Sequence, residues 1–419
     1  MRKLRWLVLA LLTMAALAGA TGCGDDDDDG GGGGGGGGAS GEPIKVGASL
    51  PLTGEFSEPG KAAKQGYAVW ESIVNEQGGL IDNRPVQMVV KDDQSNQNTI
   101  VADYNALISQ DKVDLLLGTF SSLLNLPASA VAERNRMLYV EPAGGAPELF
   151  DRDFKYLFFA QQATADKQGE VWANYIVNLP EDQRPKTAAY PTLDDPFAQP
   201  TSEGIEAIFS KAGIKTVYRE TYTIDNPNLD GIASALKSRK PDVVVHGATF
   251  EDGVGMVRAL RKANFTPKIL YQTTAPSLGD QYASSIGKGT TEGIFYGVSH
   301  SKEAKTPGNE EFVAKYQEMF GGTEVPEDAA DAYATAQVLQ AAVKAVGTVD
   351  RDRQLELADW LRENQVDTIL GPLSWDEQGR PEGEFLVGQW QKGVPEIILP
   401  EEAATTDEII PEWRPEGSG

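Results

Sequence analysis

The sequence predicts an α/β protein made of two doubly wound, parallel-sheet lobes. Three observations carry this. In Val113-Asp114-Leu115-Leu116-Leu117-Gly118-Thr119-Phe120-Ser121-Ser122 an uninterrupted apolar run meets a glycine and small hydroxyl residues, which reads as a strand buried on both faces that leads through a loop into a helix. The layout returns in Pro241-Asp242-Val243-Val244-Val245-His246-Gly247-Ala248-Thr249-Phe250. Strand-like and helix-like segments alternate along most of the chain, as in βαβ units. Ligands of open α/β sheets sit outside the carboxyl ends of the strands, so two such edges suggest lobes facing one another across a cleft.

Taken in order, residues 44–50 form a strand, residues from Pro59 a helix that buries Tyr67, Trp70, Ile73 and Val74, and residues 86–90 a second strand ending at Asp92-Asp93. Ile100, Val101, Tyr104, Leu107 and Ile108 make the next helical stripe. Ser122 or Asn125 is placed to cap the helix after the first organising strand, with Pro127 acceptable only near its first turn. Further strands are expected at 187–190, 215–219, 268–271 and 293–297, and helices at 202–212, 229–238, 254–263 and 329–346. The acidic, proline-bearing residues 401–419 read as a loose tail.

Four hundred and nineteen residues suffice for two cores. With 37 basic against 62 acidic side chains the net charge is -25, which excludes nucleic acid or an anionic membrane surface as the main partner. Cys23 is the single cysteine, so no internal disulfide or thiolate metal cluster is possible. A basic start, an apolar run from Trp6 to Ala18 and small residues before Cys23 resemble a bacterial lipoprotein signal, with Ala20 where leucine is preferred. Residues 1–22 would be the signal peptide, and 23–42 the lipidated cysteine with an aspartate- and glycine-rich tether of about 25 Å. Two acyl chains at Cys23 would anchor the protein to the outer face of the cytoplasmic membrane.

Catalytic signatures are missing: no Gly-x-Ser-x-Gly elbow, Walker loop or His-Glu-x-x-His occurs. His246 reads as a structural histidine at a strand end and His300 as an exposed one. Asp92-Asp93 and Asp194-Asp195 read as solvated or capping pairs. No metal site and no cofactor are expected. Thr119, Ser121 and Ser122 at a helix N-terminus can receive a carboxylate or another acceptor, the alternative being simple capping.

Several stretches together resemble the type I periplasmic binding proteins, specifically the leucine/isoleucine/valine-type substrate-binding subunits of ABC transporters. They are Ile44-Lys45-Val46-Gly47 with Leu52-Thr53-Gly54, Asp92-Asp93-Gln94, residues 118–122 with Pro127-Ala128-Ser129, Pro142 with Pro147-Glu148-Leu149, and residues 370–379. The resemblance implies a Venus-flytrap fold with three crossovers, near 160–163, 297–299 and 379–383. Lobe 1 would comprise 43–161 and 298–379, and lobe 2 162–297 and 380–400. It also implies a monomeric, non-enzymatic lipoprotein that passes a small polar ligand (amino-acid-like, amide or small carboxylate) to an ABC permease. A sensor or co-receptor of the same fold is the alternative. Implied ligand contacts fall on Ser121, Ser122, Ala143 and Gly145 in lobe 1 and on Phe197, Thr249, Phe250 and Thr273 in lobe 2. Amino-acid binders of this family carry a hydroxyl where Gly145 stands and a carboxylate close to Thr273. Asp252 and Asp280 are the nearest acids in the chain, so neutral or anionic ligands are expected to fit better than an ammonium.

Overall fold

The computed structural model describes residues 41–225 and 227–416; the leader, Cys23 and the tether up to residue 40 lie outside the described residues. Gly41 and Glu42, expected in the tether, belong to the folded body. The Gly41 amide donates to Asn83 O at 3.3 Å and Arg84 Nε to Glu42 O at 2.9 Å.

Strands β1 (Ile44–Leu50), β2 (Val86–Asp92), β3 (Leu115–Leu117), β4 (Tyr139–Glu141) and β5 (Leu157–Phe159) form a wholly parallel sheet in the order β2-β1-β3-β4-β5. Helices α1 (Ser57–Glu76), α2 (Gln97–Ala106), α3 (Ser122–Arg134) and the single turn α4 (Pro147–Phe150) connect them. The apolar run in β3 is continuous because both faces are covered: Leu115 and Leu117 join the core under α1, Leu116 the core under α2 and α3. Pro127 lies well inside α3, where it cannot donate to Leu123 O. Gln97 Nε2 supplies that bond instead, at 3.0 Å.

The second sheet holds β6 (Thr187–Leu193), β7 (Lys215–Tyr222), β8 (Val243–His246), β9 (Ile269–Gln272) and β10 (Phe295–Val298) in parallel. It is wrapped by α5 (Glu170–Val177), α6 (Ala198–Lys211), α7 (Leu229–Arg239), α8 (Phe250–Lys262) and α9 (Asp280–Ile286). In β8, Val244 faces one core and Val243 and Val245 the other, repeating the logic of β3.

The chain then returns to the first lobe for α10 (Asn309–Phe320), α11 (Glu327–Val346), α12 (Gln354–Glu363) and the hairpin β11 (Val366–Thr368) to β12 (Gly371–Leu373). It ends in lobe 2 as the antiparallel β13 (Leu386–Gln391) and β14 (Val394–Leu399). Helix α11 lies directly on α1 because position 66 is glycine; a Cβ there would stand 2.0 Å from Ala329 O. The three interlobe connections meet at Gln162. Its Nε2 donates to Ser299 O (2.7 Å) and Leu370 O (3.2 Å), and its carbonyl accepts from the Gly383 amide at 2.6 Å.

The expectation of a loose tail is corrected through residue 416. Trp413 is 3% exposed, its Nε1 donates to Thr290 O at 2.8 Å, and Ile410 exchanges two hydrogen bonds with the Gln389 side chain. Two apolar anchors among the acids dock the segment on lobe 2. Trp413→Ala should therefore cost about 3–5 kcal/mol, the usual range for a buried aromatic. Urea unfolding will read it, and a loss under about 0.5 kcal/mol, typical of a surface position, would mean that the tail does not hold.

Candidate functional site

The carboxyl ends of both sheets open onto one cavity between the lobes. On the lobe 1 side the chain leaves β3 at Gly118, where a Cβ would come within 2.2 Å of Glu141 Cβ. Phe120 extends the ladder by pairing with Ala143, and its ring meets Phe56 edge-on at 5.7 Å. Ser121 is the N-cap of α3, and its hydroxyl has no hydrogen-bond partner. Ser122 is fully buried behind it and accepts from the Ala146 amide at 3.1 Å.

On the lobe 2 side Asp195 accepts from the Phe197 and Ala198 amides at 2.8 and 3.0 Å, which fixes the start of α6 and the Phe197 ring. That ring reaches across to Gly145, where a Cβ would lie 3.0 Å from Phe197 Cε2. Thr249 and Asp252 form a capping box on α8, and the Thr273 hydroxyl donates to Ala248 O at 2.6 Å. Ile224 of lobe 2 packs against the lobe 1 core containing Phe120, and Gln281 Nε2 donates to Glu58 Oε2 at 2.6 Å, so the cleft is closed.

Of the contacts expected from the sequence, Ser121, Ala143, Phe197, Thr249 and Thr273 line the cavity. Gly145 stands behind Phe197, Ser122 behind Ser121, and Phe250 packs in the lobe 2 core.

The expectation that no acid stands near Thr273 is corrected. Glu327, Asp328 and Asp331, from the first turns of α11, line the same cavity. They are remote from Thr273 in sequence and arrive only because α11 returns to lobe 1 after the second crossover. Asp331 accepts from Gln161 Nε2 (2.6 Å) and Ser299 Oγ (2.5 Å), and Glu327 from the Ser299 amide at 2.5 Å. Burial, then the charge of Glu327, holds the Asp331 carboxyl well above its ordinary range and Asp328 at about 8. The usable sequence signal was Asp331 itself, an acid amid Ala329, Ala330, Ala332 and Tyr333 on a helix otherwise apolar around its middle. Asp252 and Asp280 are not the missing acids: Asp252 is committed to Thr249 and Tyr222, and Asp280 is exposed beside Lys288 at 3.8 Å.

His246 is wholly buried between Tyr222 and Gln272, and burial lowers it to about 3. His300, expected to be exposed, is also buried; it meets Asn309 Oδ1 at 2.7 Å, and burial holds it near 4. Asp93 is likewise not solvated but fully buried, and Ser95 N donates to it at 2.8 Å.

Residues 43–395 match the family model described as periplasmic binding protein. This chain belongs to the periplasmic binding protein family. It is 26% identical over 357 residues to the Leu/Ile/Val-binding protein of Escherichia coli K12, covering 84% of this chain and 92% of that one. To an amino acid binding protein of Pseudomonas aeruginosa it is 25% identical over 349 residues, 83% and 90% of the two chains. Among solved structures, a leucine binding protein of Thermotoga maritima superposes with a TM-score of 0.72 at 20% identity, over 85% of this chain and 97% of that one. A solute binding protein of Rhodopseudomonas palustris in complex with benzoate gives 0.74 at 20%, over 88% and 99%. Periplasmic binding proteins bind and release; they are not enzymes.

In this periplasmic binding protein burial raises several acids together. Asp93 is lifted from 3.8 to about 7, Asp328 from 3.8 to about 8, and Glu55 from 4.5 to about 7, burial being the largest cause in each case. The folded state then holds protons that the unfolded chain has released, so stability falls as pH rises. The contribution is complete below the unfolded values and is lost through the window up to about 7–8. Ligand-free protein should show a higher urea midpoint at about pH 5 than at about pH 8; a rising midpoint would contradict this.

Proposed function

We propose that the protein is the extracytoplasmic solute-binding subunit of an ABC transporter, which closes its two lobes on a small polar solute and presents it to the permease. The observation that carries this reading is the cavity enclosed between two lobes hinged by three crossovers. Its volume of about 40 Å³ compares with the roughly 10–15 Å³ that one water needs, so the solute is small. Relatives bind leucine, isoleucine and valine by name, and one similar structure holds benzoate; an amino-acid-like molecule, amide or small carboxylate is the corresponding class here. Binding stabilises the closed state, and no covalent step is involved.

Saturating solute should lower the radius of gyration in small-angle scattering, and an unchanged profile with solute demonstrably bound would reject closure. Ser121→Ala should weaken binding by about 1–3 kcal/mol, whereas Ser122→Ala should act mainly on stability, by leaving the Ala146 amide unpaired. Lipidation of Cys23 places the protein at the outer face of the membrane as a monomer. Cys23→Ser should move it from the membrane fraction into the soluble extracytoplasmic fraction, and unchanged membrane retention would argue against the anchor.

A further inference from the structure

Three buried oxygens that line the cavity have no hydrogen-bond partner. Asp328 is 6% exposed and lines the cavity, and its Oδ2 has no hydrogen-bond partner. Gln168 Oε1 and Ser121 Oγ, on residues 5% and 4% exposed, line the same space and are likewise unpartnered. Acids in the first turn of a helix usually face water and are explained by the helix dipole. Asp328 does not face water, and an unpaired buried acceptor is costly.

The ionisable groups that line the cavity are all carboxylic acids. Among the described residues no lysine, arginine or histidine lines the cavity, while Glu327, Asp331 and, from lobe 2, Asp195 do. At Glu55 the like charges of Asp225, Asp252, Asp195 and Glu251 add to burial in raising its carboxyl to about 7. A bound cation favours the ionised form of such carboxyls and a bound anion opposes it. Among the described residues no group of three or more His, Cys, Asp or Glu is placed to hold a metal ion.

Resting on the solute-capture reading above, we infer that the cavity takes a small organic cation bearing N–H donors, an ammonium or guanidinium, whose charged end is received by Asp328, with Gln168 and Ser121 accepting from the remaining donors. An ammonium brings three donors and no acceptor, which suits a site rich in unpaired oxygens. The acid comes from α11 of lobe 1, not from the loop after β9.

A proton reports the event. With its carboxyl near 8, Asp328 carries a proton at neutral pH in the empty protein. A cation seated against it favours the ionised form and expels that proton, whereas a neutral amide would keep it. The groups around Asp328 are Glu327 and Asp331 on its own helix, Asp195 from lobe 2, and the neutral Gln161, Gln168 and Ser299. Lys302, in the adjoining cavity beyond Glu327, is held by Glu324 at 2.5 Å.

The test is calorimetry of the purified full-length protein with isopentylamine, leucine, isocaproamide and isocaproate, which share a branched aliphatic tail and differ in the polar head. Isopentylamine should bind at least tenfold more tightly than the amide or the acid, with leucine between. Its enthalpy at pH 7 should vary with the ionisation enthalpy of the buffer, showing proton release. Asp328→Asn should weaken the amine about tenfold or more, remove the proton release and change the amide by less than about threefold. Should the variant not fold, the wild-type order and proton release decide alone. Equal or tighter binding of the amide or acid, no binding of the amine, or an amine affinity unmoved by the variant would overturn the inference. Tight isocaproate binding with compaction overturns the charge assignment and leaves capture by closure standing; bound solute without compaction removes the capture mechanism itself.

Discussion

Asp331 is buried where the hinge and the cavity meet, and its hydrogen bonds join the two. One oxygen accepts from Gln161 of the first crossover and the other from Ser299 of the second. Gln161 Nε2 also donates to Pro142 O, just ahead of Ala143, which lines the cavity. Hydrogen bonds to both oxygens offset the cost of placing this carboxyl so deep. The polar side chains of the first two crossovers therefore serve the site as well as the hinge. A change in charge at α11 is felt directly by the connections that must flex.

The lobes show how the same burial argument acts with opposite outcomes. In β3 and β8 complete burial of aliphatic residues contributes stability at roughly 25 cal/mol per Å² of apolar surface removed from water, and alternate side chains serve separate cores. At the cleft, burial of carboxyls opposes folding and keeps Asp328 protonated near neutrality. The scaffold is stable enough to hold a site that is electrostatically unfavourable when empty. Relief of that penalty can contribute to closure on a solute, because Asp195 of lobe 2 and Asp328 of lobe 1 line one space in the closed cleft.

Much of the architecture was legible because two-sided burial leaves a local mark: the aliphatic runs at 115–117 and 243–245 are strands whatever lies beside them. The exits of those strands, at Ser121 and Thr249, were legible for the same reason, since a parallel sheet delivers its polar loops to one edge. The paired lobes were legible from the repeat of the strand-to-loop layout at 113–122 and 241–250, whereas the three crossovers came from family resemblance. Glu327, Asp328 and Asp331 were not legible as cavity residues, because their approach to Thr273 depends on a topological return that no local pattern encodes. The docked tail was hidden by composition: Ile410 and Trp413 are few among acids and prolines, and few anchors suffice when each finds a backbone or side-chain partner. His300 failed similarly, a polar neighbourhood in sequence being a buried one in space.

Gly145 shows why a missing side chain can be as informative as a present one. Where the resemblance leads one to expect a hydroxyl, the backbone is bare, and the Phe197 ring has come to the place that a side chain would need. The ring is held there by Asp195, which fixes the Phe197 amide, and by the start of α6. The bare backbone at Gly145 and the aromatic ring from lobe 2 make that part of the wall apolar, while Asp328, Gln168 and Ser121 contribute unpaired oxygens to the same cavity. Such a site orients its solute: the apolar part packs on the Phe120 and Phe197 rings, and the donors turn to the unpaired oxygens of Asp328, Gln168 and Ser121. Orientation thus follows from where water has been removed and where unpaired oxygens remain, with no basic residue among the described ones lining the cavity to reverse it.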